Sequence, residues 1–158
     1  MADEIDRELF DRALHAVAEP LDSSLQGPAK RILCYRTKDG RVPARELLDS
    51  LPKEAQASYA KSFQKHCLGH VLRGDKHRMW TQKDCKALAE YKDIQSKSRI
   101  IHVFDRFNTV VLLYGFTGKK EDKVPDYHVN QAKRLRDEYR ERRDAAIAGL
   151  TSKERGRR

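Results

Sequence analysis

The chain has 158 residues, the size of one ordinary domain, and its 39% hydrophobic content allows a buried core beneath a highly charged surface. Lys and Arg number 33 against 24 acidic residues, and the net +9 argues for a polyanionic partner, nucleic acid or an acidic protein. No apolar run approaches the roughly 20 residues of a membrane helix, so no membrane partner is expected. The acidic start Met1-Ala2-Asp3-Glu4-Ile5-Asp6 lacks the apolar stretch of a secretory signal. Three cysteines (Cys34, Cys67, Cys85) form no Cys-x-x-Cys pair, which points to reduced thiols in a cytoplasmic protein and away from a disulfide scaffold.

Residues 3–19 predict an amphipathic helix, with Ile5, Leu9, Ala13 and Val17 recurring at four-residue steps. Pro20 ends it, and residues 22–28 form a short linker. Residues 30–36 read as a strand of mixed character that stops at the turn signal Asp39-Gly40. Residues 43–73 read as a helix pair. Pro43 suits a first helical turn, Pro52 interrupts the run, and Gly74 closes the second helix. Tyr59, Phe63, His66 or Cys67, and His70 fall at helical spacing within it.

The period then changes to that of strands over 87–92, 99–104 and 109–116. The second and third of these runs are apolar on both faces, so they are central strands covered on both sides. Pro125 opens a final helix with Asp126 in its first turn, and Val129, Ala132, Leu135 and Tyr139 form its stripe. Beyond Arg140 arginine dominates, and the end of the chain is expected to fray. The organisation is thus 1–28 (helix and linker), 29–140 (main domain) and 141–158 (basic helical extension and tail). The fold class is α+β: a small antiparallel sheet packed with a helix pair, plus an extra N-terminal helix and a basic C-terminal helix.

If 87–92 and 99–104 are the arms of a hairpin, Lys92 faces Arg99. Like charges directly opposed cost about 0.2–1 kcal/mol, an arrangement most easily relieved by an anion between them. Arg99 sits at a strand start rather than in the core, so Arg99→Ala is expected to leave the fold intact. Lys119 and Lys120 return to the same end as Lys92, Lys97 and Arg99, and a short loop delivers Asp126-Tyr127-His128 nearby. Cations, a phenol and an imidazole at one edge suit metal-independent RNA cleavage. A base takes the ribose 2′-proton, cations stabilise the phosphorane, and an acid protonates the leaving 5′-oxygen.

His128 is the natural proton carrier. Tyr127 can stack on a base or donate a proton, and Tyr91 beside Lys92 is an aromatic equally suited to packing or RNA stacking. His102 alternates with Ile100 and Phe104 and reads as packed; Tyr114 likewise reads as core. Cys67, His70, His77 and Cys85 match no common zinc-finger spacing, and no Gly-rich phosphate loop occurs, so neither metal nor cofactor is expected.

Three stretches carry a resemblance. They are Tyr35-Arg36-Thr37-Lys38-Asp39-Gly40-Arg41-Val42-Pro43-Ala44-Arg45-Glu46-Leu47-Leu48-Asp49-Ser50-Leu51-Pro52; Leu88-Ala89-Glu90-Tyr91-Lys92 with Arg99-Ile100-Ile101-His102-Val103-Phe104-Asp105; and Val110-Val111-Leu112-Leu113-Tyr114-Gly115-Phe116-Thr117-Gly118-Lys119-Lys120 with Pro125. Together, over about residues 30–140, the chain resembles the phage-derived, HigB-like branch of the RelE/ParE toxin superfamily. The resemblance implies a type II toxin, a ribosome-dependent mRNA endonuclease silenced by a helix-turn-helix antitoxin. With the edge chemistry read above, the candidate catalytic residues are Lys92, Arg99, Tyr127 and His128, and the candidate RNA contacts are Tyr91, Lys97, Lys119 and Lys120.

Asp126-Tyr127-His128 resembles a catalytic triplet of some HigB toxins, in which it ends the chain. One departure stands out: the second strand of the family usually ends Glu-Leu-Arg, and here it is Glu90-Tyr91-Lys92. Lysine keeps the charge but loses the bidentate fork. A second reading is therefore an interaction protein of the same fold without nuclease activity, a gyrase-type inhibitor or a phage binding protein. The N-terminal helix lies outside the resemblance. Its short linker favours packing on the domain over docking to another chain.

Overall fold

Asp6 starts the first helix by accepting the Leu9 amide on its carboxylate at 2.8 Å, satisfying one of the free N-terminal donors. The computed structural model describes residues 5–118 and 124–156. Among these are four helices and six strands: α1 (Arg7–His15), β1 (Ala18–Pro20), β2 (Arg31–Tyr35), α2 (Pro43–Ser50), α3 (Lys53–Cys67), β3 (His77–Met79), β4 (Leu88–Asp93), β5 (Ser98–Asp105), β6 (Thr109–Thr117) and α4 (Asp126–Gly156).

Helix α1 is shorter than the helix expected over 3–19. Two tight bonds, Ala16 to Ala13 and Val17 to Leu14, close its last turn, and Ala18–Pro20 then pairs antiparallel with β2. Its buried side chains are Phe10, Ala13 and Leu14, a stripe rotated from the expected Ile5, Leu9, Ala13 and Val17. They pack within the molecule, in the same cluster as Leu135 and Tyr139 of α4.

The sheet order is β1-β2-β6-β5-β4-β3. All neighbours are antiparallel except β2 and β6, which run parallel, so the sheet is mixed rather than wholly antiparallel. A parallel neighbour requires a crossover, and residues 36–108 supply it with α2, α3 and the meander's first strands. Helix α3 ends at Cys67, well before Gly74. Gly69 takes φ +93 while the His70 amide bonds the Lys65 carbonyl and the Gly69 amide bonds that of His66. This is a Schellman closure, and Gly69 rather than Gly74 makes it possible.

Each face of the sheet carries its own core. Leu33, Tyr35, Leu88, Ile101, Val103, Val111 and Leu113 meet α1 and α4 on one side. Ile32, Cys34, Tyr91, Ile100, Val110 and Leu112 meet α2 and α3 on the other. The two-sided apolar strands are central, as their sequence requires. A register shift between Ile101 and His102 pairs them with Tyr114 and Leu112, so both Leu113 and Tyr114 fall in the α4-side core. All three cysteines are free and buried, and burial pushes the Cys34 thiol up to about 12.

Helix α4 continues well past Arg140, where fraying was expected. The basic side chains there find acceptors: Arg143 Nη1 and the Tyr139 hydroxyl each reach Asp105 Oδ2 at 2.5 Å, and Arg142 donates to the Arg36 carbonyl at 2.5 Å. Residues 157–158 of the expected tail lie outside the described residues. Because Phe10 of α1 is fully buried with Phe107 and Arg31 against its ring, Phe10→Ala should cost about 3–5 kcal/mol. Urea denaturation checks this, and an unchanged midpoint would show that α1 does not contribute to the core.

Candidate functional site

Lys92 pairs with Arg99, and Arg99 pairs with Phe116, so three strands present these residues in one row. Directly opposed residues of antiparallel strands share a face, here the α4 side. His128, in the first turn of α4, lays its ring parallel to Phe116 with centroids 3.6 Å apart and an interplanar angle of 4°. The Tyr114 hydroxyl donates to the His128 carbonyl at 2.6 Å and fixes the start of the helix. His128 Nδ1 is buried without a hydrogen-bond partner, and burial lowers the pKa of the imidazole.

Tyr127 stands edge-on to His128, with centroids 5.1 Å apart, and is 72% exposed. Lys97 occupies the turn between β4 and β5 with φ 53; it is exposed, and its carbonyl accepts the Gly118 amide at 2.9 Å. The structure thus gathers Lys92, Lys97, Arg99, Tyr127 and His128 at one end of the sheet. Lys119 and Lys120 lie outside the described residues.

Tyr91 does not join them. Strand alternation turns it to the α3 face, where it is fully buried and its hydroxyl lies 2.5 Å from His66 Nδ1. It cannot stack on RNA without unfolding the core, so its expected RNA contact is corrected to a packing role. Arg99 also needs a correction. Instead of an anion between Lys92 and Arg99, the counter-charge is internal: Glu90, fully buried, lies 3.2 Å from Arg99 Nη1. The same carboxylate accepts from Arg78 at 2.8 Å and from the Trp80 indole at 3.1 Å. Arg99 is therefore part of the fold as well as of the cationic row.

The α3 face holds a cluster that the sequence does not reveal. His77 Nε2 lies 2.9 Å from His102 Nε2, with the rings stacked, and His66 lies beside His77 at 4.8 Å. His102 is completely buried, in line with its expected packed position, and its Nδ1 has no partner. Burial, the charge of His77 and then that of Lys30 lower the His66 pKa to about 4; burial and then Lys30 lower that of His77 to about 4. Burial also pushes the Tyr91 phenol well above its ordinary value, so it shares its hydrogen bond with His66 as a neutral hydroxyl. The signal was concealed because β3, which brings His77, is a three-residue strand of charged and polar character. Among the described residues no group of three or more His, Cys, Asp or Glu is arranged to hold a metal ion. Nor is any described helix long and apolar enough to cross a membrane.

Two outcomes follow from these arrangements. Arg99→Ala should destabilise the protein by about 1–3 kcal/mol, because the buried Glu90 carboxylate loses one of its two guanidinium partners. Adding Glu90→Gln should recover part of that loss in a denaturant titration; strictly additive losses would break the coupling. The second concerns pH. The unfolded imidazoles titrate near 6.5, above the folded values of about 4, so below pH 6.5 the unfolded chain binds more protons. The stabilisation is complete above pH 6.5 and is lost as the pH falls toward 4. Thermal melts should show the decline already at pH 5.5–5, before most carboxylates protonate; a flat melting temperature there would contradict buried neutral imidazoles.

In comparisons with known proteins, no family model matches the chain and no curated protein is significantly similar to it.

Proposed function

We propose that the protein is a toxin-type endoribonuclease that cuts mRNA on the ribosome, in the cytoplasm, by attack of a ribose 2′-oxygen on the adjoining phosphorus. The observation that carries this reading is the row Lys92, Arg99 and Phe116, completed by the stacked His128 with the exposed Tyr127 beside it. A neutral imidazole takes the 2′-proton as the new P–O bond forms. Lys92 and Arg99 neutralise the charge gathering on the phosphorane oxygens, and a proton goes to the departing 5′-oxygen. Tyr127 can supply that proton or stack on a base, while Lys97, Lys119 and Lys120 hold flanking phosphates.

The chemistry draws on side chains alone. The resemblance to the HigB-like branch supports the same reading, as does the order of strand, helix pair, antiparallel meander and closing helix. It also supplies the partner, a helix-turn-helix antitoxin. One observation favours the second reading, a fold-mate without nuclease activity that inhibits a gyrase-type enzyme or binds a phage protein. Arg99 is engaged by Glu90, which holds back part of its charge from a phosphate.

Induced expression followed by mapping of mRNA 5′ ends separates the two. Cuts within translated frames are expected, and His128→Gln should reduce them by about 10²–10⁴-fold with an unchanged melting temperature. Intact transcripts with stalled replication would overturn the nuclease and favour the inhibitor.

A further inference from the structure

The Schellman closure at Gly69 turns the chain back along α3 and leaves a cavity of about 490 Å³ between the helix and residues 70–76. Ser58, Lys61 and Lys65 line it from the helix, at positions three and four apart on one face. His70, Arg73 and Lys76 line it from the returning segment. Four permanent cations thus surround one space, and a single acidic residue, Glu54, lines it with them.

Nothing in the fold requires this concentration of charge. Lys61 and Lys65 are exposed like charges one helical turn apart, which weakens the helix by a few tenths of a kcal/mol. Arg73 lies 3.5 Å from Asp75 but is 88% exposed, so that pair holds it only loosely. Lys76 is oriented more firmly, donating to the Ser58 hydroxyl at 3.3 Å. An anion with several oxygens would satisfy all of these donors together.

The cavity lies on the α3 face and the cationic row on the α4 face, and the two meet at the edge of the sheet where residues 76 and 92 pair. The Lys92 amide donates to the Lys76 carbonyl at 2.8 Å, so the residue that closes the cavity is the neighbour of the first residue of the row. A chain of phosphates leaving the cavity has to pass around this edge of the sheet to meet the Lys92 side chain on the α4 face. We propose that this cavity binds backbone phosphates of the RNA strand on one side of the bond that is cut. The inference rests on the reading of the protein as an RNA endonuclease and names a second contact for the same substrate, with no sequence selectivity because it grips phosphate alone.

The test uses the full chain and a fluorescent, 2′-O-methylated RNA oligomer, which binds but cannot be cut. Affinity is read by anisotropy across a salt series, with inorganic phosphate as competitor. The variant Lys61→Gln/Lys65→Gln/Arg73→Gln changes only exposed side chains, and its melting temperature serves as the folding control. Loss of three phosphate contacts should weaken binding more than tenfold and lower the slope of log affinity against log salt by about 2. An unchanged affinity and slope would overturn the proposal, while mapped mRNA cuts would still uphold the nuclease. Inorganic phosphate competing as well as RNA, phosphate for phosphate, would likewise overturn it, because the cavity would then serve a free anion. If the variant binds weakly and the wild type never cuts mRNA, the RNA contact stands and the nuclease reading falls.

Discussion

Glu90 is the fixed point of the sheet end that carries the cationic row. Its carboxylate is fully buried, and a carboxylate withdrawn from water costs several kcal/mol unless it is paired and hydrogen-bonded. Arg78 from the edge strand, Trp80 just beyond it and Arg99 from β5 all converge on it. The carboxylate therefore ties three adjacent strands together in addition to their ladders. It also sets the direction of Arg99, and through Arg99 the spacing of the whole cationic row. Two guanidinium groups against one carboxylate leave a positive excess at the rim, so the same contact that stabilises the sheet keeps that end attractive to anions.

The alternation of strand side chains divides the chemistry between two faces. On β4, Glu90 and Lys92 turn toward α4, whereas Tyr91 turns toward α3. On β5, Arg99 meets Glu90 and Asp105 meets Tyr139 and Arg143 of α4, while Ser98 meets Tyr59 of α3 at 2.8 Å and His102 meets His77. The α4 face thus combines charged groups with an open end. The α3 face encloses neutral imidazoles and phenols, whose hydrogen bonds in a low-dielectric interior favour one arrangement of the core. Neither set can trade residues with the other without slipping a strand by one position and exposing its apolar neighbours.

Much of this was readable in the sequence where the pattern was local. The β4–β5–β6 meander, the opening of α4 at Pro125 and the opposition of Lys92 to Arg99 follow from apolar runs and turn lengths. What escaped depends on contacts distant in sequence. Strands β1 and β3 are three residues each and exist by pairing, with no period of their own. Missing β3 hid Arg78, Trp80 and His77 together, and with them the counter-charge of Glu90 and the imidazole cluster. The arginines past Arg140 read as a solvated tail because their acceptor, Asp105, is 38 residues from Arg143 in sequence.

The aim of His128 depends on one extra residue in β6. Without the irregularity at Leu113, strict alternation would turn Tyr114 toward α2, away from α4. With it, Tyr114 lies in the α4-side core and its hydroxyl reaches the His128 carbonyl. The following Gly115 keeps the strand close to α2, since a Cβ there would lie 2.0 Å from Leu47 Cδ2. Phe116 then returns to the α4 side and takes the imidazole against its ring. The helix start is thereby held at two points, one through backbone and one through side chain. A third restraint lies further along α4, where Tyr139 and Arg143 grip Asp105 at the opposite end of β5. Helix α4 is therefore clamped at both ends of the same sheet, and strand β6 holds His128 in place. The His128 ring is thereby held against the same row of strands that carries Lys92 and Arg99.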